Sequence, residues 1–233
     1  MNEKQQPALS AMSRWETAAA LCWIPVHVVG LPLLLAYLRP GISAADLNFW
    51  VYVIGTAYLG SFCIRFLRRD FDPLCDNLPR ILIQILAFYG YMLLGNLLVG
   101  GLLNMVLPGQ NPNNQAVADL AAEAGGKITV MTVILAPVLE ELMFRAGLFG
   151  LLRRYNRVLA YAVVILAFAA YHVWAYALAE PLYWLFMLQY VPVTFLLCRL
   201  YEKTGTIWSS ILLHILVNAV SLWALSTLRG LGL

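Results

Sequence analysis

Among the ionisable side chains that lie in otherwise apolar stretches of sequence, five are best placed to do chemistry. Glu140, Glu141 and Arg145 occur together in ITVMTVILAPVLEELMFRAGLFGLL. His172 occurs in AFAAYHVWAY, and His214 occurs in ILLHILVNAV. A charged residue at the middle of a membrane costs about 2.5 to 3.5 kcal/mol on insertion scales. Each of these residues is therefore expected to have a chemical function or a buried partner.

Helical geometry separates the two adjacent glutamates. At about 100° per residue, Glu141 and Arg145 lie on one face as positions i and i+4 and can form an ion pair. Glu140 points about a quarter-turn away, so its carboxylate is left without a cation from its own helix. Pro137 cannot donate a backbone hydrogen bond, and it is expected to bend the helix and open room for water beside Glu140.

The two histidines can reach the same depth as Glu140. Phe168 lies one helical turn before His172, and Asn218 lies one turn after His214, so each pair shares a helix face. At about 1.5 Å per residue, the glutamate and both histidines lie roughly 16 to 22 Å from the basic residues that flank their segments. Three segments that bring Glu, His and His to one depth predict a polar pocket. The alternative is a set of interhelical hydrogen bonds and ion pairs without chemistry.

The elements that must position these residues are membrane helices. The chain has 233 residues, of which 62% are hydrophobic and 12% are charged, with a mean hydropathy of +0.76. A soluble domain carries about 25% charged residues, so this composition excludes a water-soluble globule. Because a helix needs about 20 apolar residues to cross the hydrocarbon, we predict an all-α polytopic membrane protein of about seven helices. The predicted ranges are 17–38, 47–67, 81–107, 128–152, 158–179, 182–200 and 207–228.

The basic residues predict the orientation and exclude one class of partner. Eleven Lys and Arg residues fall on one side of seven such helices and three on the other. By the positive-inside rule, the amino terminus is cytoplasmic and the carboxyl terminus is outside. Short loops, and a carboxyl terminus without a retrieval signal, favour a bacterial cytoplasmic membrane.

The basic residues do not form a run, so the expected partners are the lipid bilayer and a membrane-anchored substrate, not nucleic acid. No oligomeric state is predicted. His27, in the first helix, is interpreted as a packing or interhelical hydrogen-bonding residue.

Three short motifs occur in order along the second half of the chain. They read EELMFR at 140–145, FAAYH at 168–172 and HILVN at 214–218. They fit EExxxR, FxxxH and HxxxN, and together they resemble the CPBP family of intramembrane endopeptidases, the CAAX proteases and bacteriocin-processing proteins. The resemblance covers about residues 127–228, which we assign as a catalytic core of helices four to seven. Residues 1–126, with helices one to three and their loops, carry no matching motif.

The resemblance implies hydrolysis of a peptide bond in a membrane-associated or lipidated protein or peptide. Glu140 would act as the general base on a water molecule, and His172 would help to hold and activate that water. His214 and Asn218 would stabilise the oxyanion. The site would then lie between helices four, five and seven. Three further residues are expected to support it structurally: Glu141, Arg145 and Phe168.

Two questions about the chemistry stay open at this point. Glu140, His172 and His214 also match the ligand set of a catalytic zinc site with water in the fourth position. The HExxH pattern is absent, and we favour a glutamate-type enzyme without a metal or other cofactor. The other candidate functions are a non-proteolytic membrane scaffold or immunity factor of the same family, and a transporter or proton relay.

Overall fold

A computed structural model describes residue 9, residues 11–107 and residues 109–230, with side chains up to residue 227. Every regular element in this part of the chain is helical, which confirms the all-α prediction. Lys4 and the side chain of Arg229, which entered the charge count, lie outside what is described. So does the terminal segment 231–233, on which the predicted position of the carboxyl terminus depends.

The helices are numbered α1 to α9 in chain order. The first five are α1 (Arg14–Leu38), α2 (Ala44–Phe62), α3 (Ile64–Asp76), α4 (Leu78–Val106) and α5 (Pro112–Val130). Helix α6 follows α5 without a break. It consists of four consecutive segments: Met131–Leu135, Ala136–Glu140, Glu141–Phe149 and Gly150–Leu152. The last three are α7 (Arg157–Ala179), α8 (Met187–Thr204, preceded by the 3₁₀ turns of Pro181–Phe186) and α9 (Ile207–Gly230).

The predicted count of seven membrane-spanning helices is not confirmed. Among the described residues, five segments are long and apolar enough to cross a membrane, namely α1, α4, α7, α9 and Pro181–Thr204. A sixth is the pair α2 and α3, which meet at a bend of 79°. The second predicted range, 47–67, therefore breaks after Phe62 because the chain turns there into a separate amphipathic helix. The fourth predicted range, 128–152, falls mainly on α6, which contains the three ionisable residues of EELMFR.

Two wide turns precede prolines in the helices that form the site. Val26–Gly30 and Met131–Leu135 are π-helical, and Pro32 and Pro137 follow shortly after them. A proline lacks an amide hydrogen and its ring clashes with the carbonyl four residues earlier, so widening of the preceding turn relieves the clash. A third and longer π-helical stretch covers Glu141–Phe149. The EExxxR motif thus lies on irregular helix, which is common at functional sites.

Helix α6 lies at the centre of the bundle. It contacts α1, α2, α7, α8 and α9, and all of Glu141–Phe149 except Leu148 is buried. Helix α2 approaches α6 closely at Gly55, where a Cβ atom would come within 2.7 Å of Leu139. The same Cβ atom would come within 2.9 Å of the ring nitrogen of Trp23, so a larger residue at this position would require the side chains of Leu139 and Trp23 to shift. The charged residues of α6 are therefore surrounded by other helices.

At one end of the bundle, the carboxylate of Glu202 on α8 forms hydrogen bonds with the end of α6 and the start of α7. Glu202, which is 2% exposed, accepts hydrogen bonds from Arg153 (2.6 Å), Arg157 (2.7 Å), Arg199 (3.0 Å) and Tyr161 (2.9 Å). Three guanidinium groups and a hydroxyl satisfy both of its oxygens. The cluster of Glu202 and these four donors is called the Glu202 clamp below.

Candidate functional site

Glu140, His172 and His214 converge although they lie on three different helices. Oε2 of Glu140 lies 3.9 Å from Nε2 of His172 and 3.8 Å from Nε2 of His214. Glu140 and His214 are buried, with exposed fractions of 3% and 4%. The prediction that these three side chains meet at one level of the bundle is confirmed.

The second nitrogen of each histidine is already engaged. Nδ1 of His172 lies 2.8 Å from the carbonyl oxygen of Phe168, one turn earlier on α7. Nδ1 of His214 lies 2.9 Å from Oε1 of Glu141. Since a carbonyl and a carboxylate only accept hydrogen bonds, Nδ1 carries the hydrogen in both rings. In the neutral rings, Nε2 therefore presents a lone pair toward Oε2 of Glu140.

With both rings neutral, three acceptor atoms thus lie close together, an arrangement that suits a hydrogen-bond donor or a cation. A water molecule at about 2.8 Å from each atom fits separations of 3.8 to 3.9 Å and can donate two hydrogen bonds. The atom types also suit zinc, but tetrahedral bonds of about 2.0 Å would place the ligand atoms about 3.3 Å apart. The observed separations are wider. No group of three His, Cys, Asp or Glu side chains within the described ranges has a geometry that could hold a metal ion.

The predicted ion pair between Glu141 and Arg145 is confirmed. Nη1 of Arg145 lies 3.0 Å from Oε1 of Glu141, and both side chains are fully buried. The guanidinium group also lies over the ring of Phe168, 4.1 Å from its centroid. Phe168 in turn supplies the carbonyl oxygen that orients His172. Arg145 therefore joins the EExxxR segment of α6 to the FxxxH segment of α7.

Asn218 connects α9 to the wide turn of α6 that precedes Pro137. Its side-chain amide donates a hydrogen bond of 2.8 Å to the carbonyl oxygen of Thr132. On the other side of the same turn, the hydroxyl of Thr56 donates to the carbonyl oxygen of Leu135 over 3.1 Å. Side chains thus satisfy two carbonyls of this turn, as an irregular membrane helix requires. The bond to Thr132 uses one of the two amide hydrogens of Asn218.

Three further residues lie at the site, although the sequence motifs did not indicate them as participants. The hydroxyl of Tyr52 donates to Oε1 of Glu140 over 3.1 Å and lies 2.8 Å from the hydroxyl of Tyr171. Nε2 of His27 lies 2.9 Å from the same Tyr171 hydroxyl, which confirms the interpretation of His27 as an interhelical hydrogen-bonding residue. Tyr52 and Tyr171 were missed because a tyrosine in an apolar helix gives no signal of its own.

These contacts cross the predicted division of the chain. His27 and Tyr52 belong to residues 1–126, where no motif was found, and Glu140 belongs to the predicted core. The division at residues 126 and 127 falls inside α5. Helices α1 and α2 therefore take part in the surroundings of Glu140.

Two adjoining cavities lie beside the convergent residues. The first, of about 230 Å³, is lined by His27, Tyr52, Tyr171 and His172 together with residues of α1, α2, α5 and α7. The second, of about 330 Å³, lies between α1, α6 and α7 and is lined almost entirely by apolar side chains. Tyr171 and Trp174 line both cavities. The cavities thus place a polar space and an apolar space next to each other beside His172.

Comparison with known proteins gives one family. Residues 127–220, less than half of the chain, match the model of the type II CAAX prenyl endopeptidase Rce1-like family. No curated protein and no solved structure matched the chain. The matched segment contains Glu140, His172 and His214 together with the rest of the three motifs. Over residues 127–220, this chain is therefore similar to the Rce1-like family of type II CAAX prenyl endopeptidases.

Proposed function

We propose that this protein is an intramembrane endopeptidase that hydrolyses a peptide bond in a membrane-associated or lipidated protein or peptide. The observation that supports this function best is the convergence of one carboxylate oxygen and the Nε2 atoms of two imidazole rings inside the matched segment, with Glu140 and His214 buried. Such a group of acceptors can hold a water molecule and remove its proton.

In the proposed reaction, a water molecule lies between Glu140 and His172. Oε2 of Glu140 removes one proton from this water while the water oxygen attacks the scissile carbonyl carbon. Nε2 of His172 accepts a hydrogen bond from the second hydrogen of the same water. Glu140 then delivers the proton to the leaving amine as the tetrahedral intermediate breaks down. Each proton taken from water is accounted for in the products.

His214 and Asn218 would stabilise the oxyanion. Asn218 has an amide hydrogen that the bond to Thr132 does not use. His214 can donate from Nε2 when both of its nitrogens are protonated, and the Glu141 carboxylate at Nδ1 stabilises that imidazolium. Removing one oxyanion donor costs roughly 10²- to 10³-fold in kcat in hydrolases that use such donors.

The two cavities suggest how a substrate would approach. The polar cavity beside His172 would admit the peptide chain, and the apolar cavity would take a lipid substituent or a large apolar side chain. Because Tyr171 and Trp174 line both spaces, a lipidated residue could place its hydrocarbon in one and its backbone in the other.

The glutamate-type chemistry requires no metal or cofactor. The separations of 3.8 and 3.9 Å are wider than the roughly 3.3 Å between the ligands of a tetrahedral zinc ion, and the proposed mechanism assigns no step to a metal. Chelation, described in the Discussion, tests this choice.

We propose seven crossings, with α6 as the additional one. A helix needs an apolar surface only where it faces lipid, and α6 is enclosed by its neighbours, so its charges do not prevent it from crossing. Seven crossings and the uneven distribution of Lys and Arg support a cytoplasmic amino terminus, and we propose a bacterial cytoplasmic membrane as its location. A phosphatase reporter inserted after Arg154 should be inactive, and one inserted after Leu38 should be active. The reverse pattern would contradict this orientation.

The decisive experiment replaces the proposed base. Glu140→Gln keeps the volume of the side chain and removes its basicity, so the variant should fold normally and lose about 10²- to 10⁴-fold in cleavage rate. The probe is a fluorogenic farnesylated peptide that ends in a CAAX sequence, added to detergent-solubilised protein. Glu123→Gln makes the same chemical change at an exposed position and is the matched control.

The same two variants should be compared in cells by proteomics of the membrane fraction. An uncleaved precursor should accumulate with Glu140→Gln and be absent with the wild type and with Glu123→Gln. If Glu140→Gln cleaves the peptide at the wild-type rate, the assignment of the base is wrong. If the wild type cleaves nothing in either assay, the non-proteolytic scaffold becomes the better interpretation.

A further inference from the structure

We propose that Tyr52, Tyr171 and His27 form a hydrogen-bonded chain that positions the Glu140 carboxylate for catalysis. The chain holds Oε1 so that Oε2 faces the two histidine lone pairs. This inference rests on the proposed function, since it assigns a role to residues around the same carboxylate. These three are positioning residues, because none of them reaches the reacting atoms in the proposed mechanism.

The donor and acceptor of each hydrogen bond can be assigned in turn, starting from the Glu140 carboxylate. Ionised Glu140 only accepts hydrogen bonds, so the hydroxyl of Tyr52 donates to it. With its hydrogen used, the Tyr52 oxygen accepts from the hydroxyl of Tyr171. The Tyr171 oxygen then accepts from Nε2–H of His27. One consistent order therefore runs from α1 through α7 and α2 to α6.

A carboxylate needs such support because its terminal torsion is broad. The two oxygens of a glutamate rotate with little preference unless a partner holds one of them. Here Tyr52 holds Oε1, while Oε2 lies at nearly equal distances from both histidines. Loss of the Tyr52 hydroxyl would free the torsion and move Oε2 out of line with the water.

The packing around the chain restricts its members. The ring of His27 meets the ring of Tyr52 edge-on, with centroids 4.8 Å apart. Gly55, one turn after Tyr52, allows the close approach of α2 to α6. Nδ1 of His27 is buried and has no hydrogen-bond partner among the described residues. A buried nitrogen without a partner is costly, so a residue that served packing alone would be better replaced by an apolar one.

The test removes one hydrogen-bonding group at a time and keeps an aromatic ring at each position. Tyr52→Phe, Tyr171→Phe and His27→Phe should be assayed for kcat and KM with the farnesylated CAAX peptide, and for melting temperature. Tyr58→Phe is the matched control, since Tyr58 lies on the same helix, is 43% exposed and stacks on Trp23. His27→Gln keeps an amide donor near the position of Nε2.

Tyr52→Phe should lower kcat about ten- to hundredfold, because small misplacements of a catalytic group have effects of that size. Tyr171→Phe should have a smaller effect and His27→Phe the smallest, since each lies one hydrogen bond further from Glu140. His27→Gln should retain more activity than His27→Phe. Tyr58→Phe should resemble the wild type, and all variants should melt within a few degrees of it.

Three results would overturn the inference. The first is a wild-type kcat for Tyr52→Phe, the second is an effect confined to KM, and the third is a loss of kcat that only parallels a loss of folded protein. If Tyr171→Phe leaves kcat unchanged while Tyr52→Phe lowers it, the chain beyond Tyr52 has no role. The proposed function stands in all these cases if Glu140→Gln is inactive, and it fails separately if Glu140→Gln cleaves normally.

Discussion

Glu140 and Glu202 are both almost fully buried carboxylates, yet their surroundings differ. Glu202 accepts hydrogen bonds from three arginines and a tyrosine, at 2.6 to 3.0 Å. Within the described residues, Glu140 has a hydrogen bond from Tyr52 at 3.1 Å and faces two imidazole nitrogens at 3.8 and 3.9 Å. Burial by itself therefore does not distinguish a structural carboxylate from a reactive one. The number of donors does, since every donor removes acceptor capacity that a water molecule or a proton would otherwise use.

Glu141 shows that the difference can arise between neighbours in sequence. It is fully buried beside Glu140 but is paired with Arg145 and with His214. The carboxylate of Glu141 lies against the guanidinium group of Arg145, whereas the carboxylate of Glu140 lies near the imidazole nitrogens of His172 and His214. We therefore interpret the Glu202 clamp and the pair at Glu141 as structural, and Glu140 is the carboxylate that the proposed mechanism uses.

The largest effect is expected where a fully buried pair is broken. Arg145→Met removes the cation and keeps much of the side-chain length, so Glu141 loses its buried charge partner. Breaking a buried pair costs about 3 to 5 kcal/mol, and folded yield and cleavage should both fall. Unfolding by heat or denaturant in detergent, followed by the peptide assay, measures both.

Arg199→Met is the matched control, because Arg199 is 32% exposed and is one of several donors to Glu202. It should cost less than about 1 kcal/mol. If Arg145→Met and Arg199→Met lose the same free energy of unfolding, the burial of Arg145 does not strengthen its ion pair.

A smaller effect is expected from Glu202→Gln. The side-chain amide keeps one acceptor oxygen, and the three arginines are 32% to 49% exposed and can be hydrated instead. We expect a loss of about 1 to 2 kcal/mol in the free energy of unfolding, measured by denaturant titration. Cleavage per folded molecule should stay within about twofold of the wild type. A large fall in kcat without unfolding would instead place the Glu202 clamp in the catalytic apparatus.

The smallest effect is expected from chelation. Prolonged dialysis against a chelator should leave the cleavage rate unchanged, because the proposed mechanism activates water with Glu140 and His172 alone. The metal content of the purified protein should be far below one zinc per chain. An activity that is lost on dialysis and restored by zinc would support Glu140, His172 and His214 as ligands.

Much of the site follows from the sequence alone. Helical periodicity places Glu141 and Arg145 one turn apart, and their pairing was confirmed. The same periodicity and the length of the helices placed Glu140, His172 and His214 at a common depth. The motifs supplied the family, and the composition supplied a helical membrane protein. All of these are local properties, since they depend on spacing within one segment or on totals over the chain.

The rest depended on how the helices pack. The bend of 79° after Phe62 and the enclosure of α6 altered the number of spanning helices that can be recognised. Tyr52 and His27 reach the site from α1 and α2, which carry no motif, and the Glu202 clamp gathers residues from three parts of the chain. Apart from the contact of Arg199 with Glu202, three residues later, these contacts join residues 41 to 144 positions apart, so no periodicity records them. The sequence indicated which ionisable residues lie in apolar helices, and the tertiary structure decided which buried carboxylate faces imidazole nitrogens and which is paired with cations, because those partners come largely from other helices.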